Sequence, residues 1–207
     1  MANRVAAYID GFNLFYGMRS KGWKQLYWLD VRQLAKNLLR SDQKLSVVRY
    51  FTAPILPDPS DPDKDKRQET YLDALSTISM LDVQKGYFIS KRHNCRKCGT
   101  PRTTYEEKTT DVNIAVAMLT DAYANLYDTA ILISADGDLV RPVETILANF
   151  PNKRVVVAFP PDRNSNNLRK NASACISIWE KTMIKSQLPN ELLGSNGHVL
   201  HRPLTWT

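Results

Sequence analysis

The chain has 207 residues, 43% hydrophobic and 24% charged, which suits one α/β domain with a sizeable core and a short tail. Lys and Arg number 28 against 21 Asp and Glu, and the net charge of +7 favours a polyanionic partner without specifying one. Three cysteines argue against a disulfide framework. Met1-Ala2-Asn3-Arg4 lacks a signal-peptide pattern, and nothing approaches the roughly 20 apolar residues of a membrane helix, so a soluble cytoplasmic protein is expected.

Apolar β-branched runs alternate with helical periodicity, the pattern of βαβ units and a parallel sheet. A first strand is predicted from about Arg4 to Ile9. Asp30 is placed to cap a helix carrying Val31, Leu34, Ala35, Leu38 and Leu39 on one face. A second strand follows over Ser46 to Thr52. Pro54 to Pro62 contains four prolines and reads as a rigid loop, with Pro62 in the first turn of a helix whose Tyr71, Leu75 and Ile78 face inward. Val83 to Lys91 reads as a third strand, and Arg92 to Tyr105 as a polar, Cys-containing excursion.

A helix opening at Asp111 puts Ala115, Met118 and Ala122 on one stripe. Ala130 to Ala135 reads as a fourth strand, Pro142 to Asn149 as a helix, Arg154 to Phe159 as a fifth strand, and Cys175 to Trp179 as a short edge strand. From about Lys185 the periodicity is lost. We therefore expect a domain over 1–184 and a tail over 185–207. The fold class is three-layer α/β/α with a central, mostly parallel sheet of five or six strands.

Carboxylates punctuate this pattern at strand ends. Asp10 closes the run Val5 to Ile9, Asp136 and Asp138 close the run Ala130 to Ala135, and Asp111 opens the helix between them. Each has an ordinary explanation. Asp10-Gly11-Phe12-Asn13 is a plausible turn with Asn13 as a cap, Asp138 a plausible helix cap, and Asp111 a first-turn acid favoured by the helix dipole. Ligands of open parallel sheets bind beyond the carboxyl ends of the strands. Acids gathered there repel one another unless a cation such as Mg²⁺ or Mn²⁺ neutralises them. No G-x-G-x-x-G follows the first strand, and no P-loop or G-x-S-x-G elbow occurs, which leaves metal-assisted chemistry at a phosphoryl oxygen.

Tyr8-Ile9-Asp10-Gly11-Phe12-Asn13-Leu14, Glu106-Glu107-Lys108-Thr109-Thr110-Asp111-Val112 and Leu132-Ile133-Ser134-Ala135-Asp136-Gly137-Asp138-Leu139 together resemble the NYN domain. This is a PIN-like nuclease fold, and the nearest likeness is to its LabA-like bacterial branch. The resemblance spans about Arg4 to Trp179 and implies a Mg²⁺- or Mn²⁺-dependent ribonuclease. Carried over by position, Asp10, Asp111, Asp136 and Asp138 would bind metal, with Asn13 and Ser134 as polar neighbours in the catalytic set. The alternative is an RNA-binding regulatory protein of the same fold. A phosphatase is disfavoured, because the position two residues after Asp10 is Phe12.

RNA is the expected partner, and a homodimer is compatible with the chain. Lys108 adjoins the Asp111 helix, and Arg163, Ser165 and Arg169 follow the fifth strand, where they could hold phosphates. Lys91, Arg92, Arg96, Lys97 and Arg102 form a second basic cluster near Tyr87, Phe88 and Tyr105, aromatics expected in packing first and base stacking second. His93, Cys95 and Cys98 resemble half a zinc knuckle. A structural zinc needs four ligands, so Zn²⁺ is not favoured and two reduced thiols are expected.

Overall fold

Val5-Ala6-Ala7-Tyr8-Ile9 is wholly buried, and this run makes β1 (Asn3–Asp10) a central strand. The computed structural model describes residues 3–57, 59–94, 98–195 and 197–207, apart from the side chains of 102 and 104–107. After β1 come α1 (Gly11–Ser20), α2 (Val31–Asn37), β2 (Gln43–Thr52), α3 (Lys64–Ser76) and β3 (Leu81–Lys85). Next are β4 (Tyr87–Asn94), β5 (Pro101–Lys108), α4 (Thr110–Tyr123), β6 (Thr129–Ile133), α5 (Val140–Asn149) and β7 (Arg154–Phe159). The chain closes with α6 (Asn166–Asn171), β8 (Ala174–Ser177), α7 (Glu180–Ile184), β9 (Glu191–Leu193) and β10 (Val199–His201).

The main sheet has six strands in the order β3-β2-β1-β6-β7-β8, and every pairing in it is parallel. A strand buried on both faces sends alternate side chains to opposite layers. Val5, Ala7 and Ile9 pack with α1, α2 and α3, whereas Ala6 and Tyr8 pack with Ile114 and Met118 of α4 and Val143 of α5. The result is a three-layer α/β/α architecture. No helix among the described residues is long and apolar enough to cross a membrane.

The chain leaves β1 toward β2 and β3, then returns to place β6 on the other side of β1. This reversal of strand order puts a crevice at the carboxyl ends of β1 and β6. The second layer is tied to the sheet by a buried ion pair. Arg49 on β2 donates to both carboxylate oxygens of Asp121 on α4, at 2.9 and 2.8 Å, and to Asp82 at 2.5 Å. Tyr8 Oη donates to the same Asp121 at 2.8 Å.

Several local expectations need correction. The predicted Val83–Lys91 strand is two strands, because the chain turns at buried Gly86 between β3 in the sheet and β4 outside it. β4 pairs antiparallel with β5, so the polar excursion is a hairpin that stands apart from the main sheet. Pro62 lies in the turn before α3, whose cap position is Asp63, and Ile78 lies just past the helix end.

The segment 185–207, read as tail, forms the β9–β10 pair and a short 3-10 turn at its end. Trp206 there is buried against Tyr27, Trp28 and Tyr71. A single large ring finds a place in the core without any periodic pattern around it.

Candidate active site

Asp10 ends β1 and caps α1, accepting the Asn13 backbone N–H at 2.9 Å. Its other oxygen accepts from Ser134 Oγ, also at 2.9 Å. Ser134 follows β6 and is wholly buried, and its Oγ in turn accepts the Asp136 N–H at 3.0 Å. Asn13 Oδ1 accepts the Ala135 N–H at 3.2 Å, so the two strand ends are stitched together twice. Asp136 then caps the short 3-10 turn Gly137–Leu139 by accepting the Asp138 N–H at 2.9 Å. The cap here is Asp136, and Asp138 sits exposed inside the turn instead of capping α5.

Asp10 is only 3% exposed, and burial pushes its carboxyl above the ordinary carboxylate range. The Asn13 and Ser134 hydrogen bonds oppose that rise, and the nearby Asp136 charge adds to it. Among the described residues no Lys or Arg forms a salt bridge with Asp10, Asp136 or Asp138. A buried carboxylate without a cation is a costly feature in a structural role and a common one in a functional one.

Asp111 lies in the first turn of α4 and is partly buried. α4 ends beside Arg4, whose guanidinium donates to the Asn125 carbonyl at 2.7 Å at the amino edge of the sheet. A helix of 14 residues spans about 21 Å, so Asp111 begins it at the opposite, carboxyl edge. Between it and β5, Thr109 is held at φ 79°, a region a β-branched residue rarely occupies.

All four acids therefore share one edge, where Ser134 bonds Asp10 side chain to side chain, and the backbone N–H groups of Ala135, Asp136 and Asp138 donate to the side chains of Asn13, Ser134 and Asp136. Among the described residues no group of three or more His, Cys, Asp or Glu is close enough to hold a metal ion. Asp10 and Asp136 are linked through Ser134, which donates to the first and accepts the backbone N–H of the second.

The expected phosphate-binding residues lie at the same edge but are engaged in packing. Ser165 caps α6, accepting the Leu168 N–H at 3.4 Å, and the Arg169 guanidinium lies 4.9 Å from the Phe159 ring at the end of β7. Arg163 lies 6.0 Å from the Tyr16 ring of α1. Lys108 closes β5 opposite Tyr87. Lys91, Arg92 and His93 are exposed on β4. Cys95, Arg96 and Lys97 and the side chains of Arg102 and Tyr105 fall outside the described residues. Cys98 is exposed, with Sγ 3.1 Å from Thr100 Oγ1.

Gly11 permits a close approach that any Cβ would block. One built there would lie 2.6 Å from Tyr50 Oη and 2.7 Å from the Phe51 carbonyl oxygen. Gly11→Ala is expected to push α1 away from β2 at a cost of about 1–3 kcal/mol, and to displace the neighbouring Asp10. Denaturant unfolding would read the first effect, and an unchanged midpoint would contradict it.

The reading of strand ends missed a cavity of 460 Å³ beside this edge, walled largely by aromatic rings of α1, β2 and the C-terminal segment. Its one legible signal is the spacing of Phe12, Phe15, Tyr16 and Arg19 on a single face of α1.

The NYN domain family profile matches residues 4–180. Two relatives cover most of the chain. The 6-hydroxy-3-succinoylpyridine 3-monooxygenase HspA of Pseudomonas putida is 23% identical, covering 98% of this chain and 75% of its own length. The low amplitude and bright protein LabA of Synechococcus elongatus is 26% identical, covering 74% of this chain and 73% of its own. A crystal structure of a protein of unknown function from Vibrio parahaemolyticus shares the fold, with a TM-score of 0.58, 20% identity, and coverage of 90% of this chain and 97% of that one.

Proposed function

Because the chain belongs to the NYN domain family, whose domain is PIN-like and nuclease-type, we propose that it is a Mg²⁺- or Mn²⁺-dependent ribonuclease acting at the Asp10–Asp136 edge. One observation carries this reading. A buried Asp10, raised by burial and by Asp136, sits at the strand-order reversal, and among the described residues no Lys or Arg pairs with it. Mg²⁺ is commonly held by one or two carboxylates, with waters and substrate phosphate completing its shell. Asp10 and Asp136 are hard oxygen donors that fit this requirement, and Asp111 and Asp138 would hold outer waters. When bound, the cation would lower the pKa of a water and stabilise charge on the phosphoryl oxygens.

The chain's own residues supply orientation. Ser134 and the Asn13 N–H fix the Asp10 carboxylate from two sides, which sets the direction of its remaining lone pairs. The Ser134–Asp136 bond keeps the second carboxylate's backbone in register with the first. Arg163 and Arg169, beside the Tyr16 and Phe159 rings, would contact a phosphate backbone crossing the end of β7. Phosphate contacts of that kind position a strand without reading its sequence. The monooxygenase name of one relative stays with that protein.

A second reading, RNA binding without turnover, draws on the lack of three converging metal-capable side chains among the described residues. Incubation of a labelled oligoribonucleotide with Mn²⁺, beside an equilibrium binding measurement, separates the two. Cleavage that stops on chelation is expected. Tight binding with no Mn²⁺-dependent cleavage would favour the second reading instead. A cation that binds only the folded state also raises Tm, by about 2.7 kcal/mol of added stability at a hundredfold excess over Kd.

A further inference from the structure

We infer that the aromatic cavity beside Asp10 is a nucleotide subsite, which takes a planar base between its rings and a phosphate at its cationic rim. The inference rests on the polynucleotide reading above and specifies which unit of the ligand is enclosed and where.

Two kinds of side chain line the space, and neither alone explains the other. The walls are rings set at steep angles to one another. Phe15 lies 4.8 Å from Tyr27, Tyr27 lies 5.7 Å from Trp206, and Trp206 lies 6.1 Å from Tyr71. Tilted and edge-to-face contacts of this sort hold each ring in place, so the walls are preformed. An apolar ligand would need only these rings.

Among the described residues that line it, however, the cavity carries Arg19, Lys24, Lys64 and Arg67 against a single carboxylate, Asp61, which is paired with Arg67. Among the described residues Arg19 and Lys24 form no salt bridge. A bare anion would need only these cations. A ligand that uses both features has a flat aromatic part and a negative charge.

Size and position narrow the class further. The volume of 460 Å³ lies within the roughly 300–1,000 Å³ of sites that enclose small ligands. Gly11, the residue after Asp10, lines the cavity together with Tyr50 and Thr52 at the end of β2. A bound base would therefore sit beside the carboxylate edge. Tyr16 continues the path outward, with the Arg19 guanidinium 6.0 Å from its ring and that of Arg163 at the same distance. One exposed ring thus joins the cavity rim to the loop after β7. Base–aromatic stacking and backbone cations are the usual means of holding single-stranded nucleic acid.

The test is calorimetric titration of the full chain in EDTA, which keeps the carboxylate site out of the measurement. The probes are adenosine and uridine 5′-monophosphates, the two nucleosides, and inorganic phosphate. The monophosphates should bind saturably and at least about tenfold more tightly than nucleoside or phosphate, because only they engage both rim and walls. The exposed pair Arg19→Ala and Lys24→Ala, made together, should weaken monophosphate binding about tenfold. Tyr27→Leu, which keeps bulk but removes a ring, should do so by a similar factor.

Competition with a short oligoribonucleotide identifies the source: displacement marks a residue of a bound strand, and its absence marks a free nucleotide. Either result upholds the subsite. No saturable monophosphate binding, phosphate binding equal to it, or indifference to the Arg19 and Lys24 changes would overturn it. Asp10→Asn should leave monophosphate binding intact. In the native sequence, monophosphate binding without Mn²⁺-dependent cleavage would count against the nuclease reading alone, and cleavage without monophosphate binding against the subsite alone.

Discussion

Asp10→Asn is expected to abolish Mn²⁺-dependent RNA cleavage, by about 10²–10³-fold or more, while leaving the protein folded and more stable than before. The two halves of this result have one cause. Burial and the neighbouring Asp136 make the Asp10 charge unfavourable in the folded protein, and the Asn13 and Ser134 hydrogen bonds offset only part of that cost. The folded state therefore holds the Asp10 proton more tightly than the unfolded chain does.

For a carboxyl raised on folding, stability is greatest at low pH and falls as pH rises from the ordinary carboxylate range through the raised value. Above that value the full penalty persists. An amide at this position keeps an oxygen to accept the Asn13 N–H and carries no charge to desolvate. The gain at neutral pH should be about 0.5–2 kcal/mol, at roughly 2–4 °C of Tm per kcal/mol for a chain of this size. Thermal melts of both proteins from pH 3 to 8 would converge at the acid end. Added Mn²⁺ should raise Tm for the native sequence and not for the variant. A variant that cleaves RNA at the native rate would remove Asp10 from the mechanism.

Arg49→Met is expected to be the most damaging single change to the fold, at about 3–5 kcal/mol. Asp121 is 2% exposed, and Arg49 neutralises it through two hydrogen bonds; the Tyr8 hydroxyl adds a third but no charge. Removing the guanidinium leaves a buried carboxylate facing only a phenol. The double change Arg49→Met with Asp121→Asn should recover most of the loss, because it removes the stranded charge along with its partner. Urea unfolding of the two single variants and the double gives the coupling directly. A loss below about 1 kcal/mol for Arg49→Met would show that solvent reaches Asp121 more freely than its burial indicates.

The contrast between Asp121 and Asp10 is what distinguishes structure from site in this molecule. Both are buried acids in contact with the central sheet. Asp121 is compensated by the Arg49 guanidinium of β2, whereas among the described residues Asp10 is met by neutral donors from Asn13 and Ser134. In the sequence the two are hard to tell apart, because the partner of Asp121 lies 72 residues away.

What the sequence determined alone were the local features with a short physical reach. Apolar runs placed β1, β6 and β7 to within a residue or two, since a strand buried on both faces can contain little else. Asp30 as the cap of α2 was equally legible, because its acceptor serves the Gln33 N–H three residues on. The strand-end position of Asp10, Asp136 and Asp138 followed from the same runs. The splitting of Val83–Lys91 into a sheet strand and a hairpin strand was not legible, because both halves have strand-like composition and differ only in which neighbour pairs with them.

Tertiary structure alone decided how the acids relate to one another. Strand order brought Ser134 against Asp10 across 124 residues of chain and Asn13 against the Ala135 backbone across 122, which ties the ends of β1 and β6 together. It also closed the aromatic cavity with Trp206, whose surroundings in sequence carry no periodic signal. The reason is range. Propensity, capping and alternation act over a few residues and can be read along the chain, whereas burial, charge compensation and cavity shape depend on which distant segments the sheet places side by side.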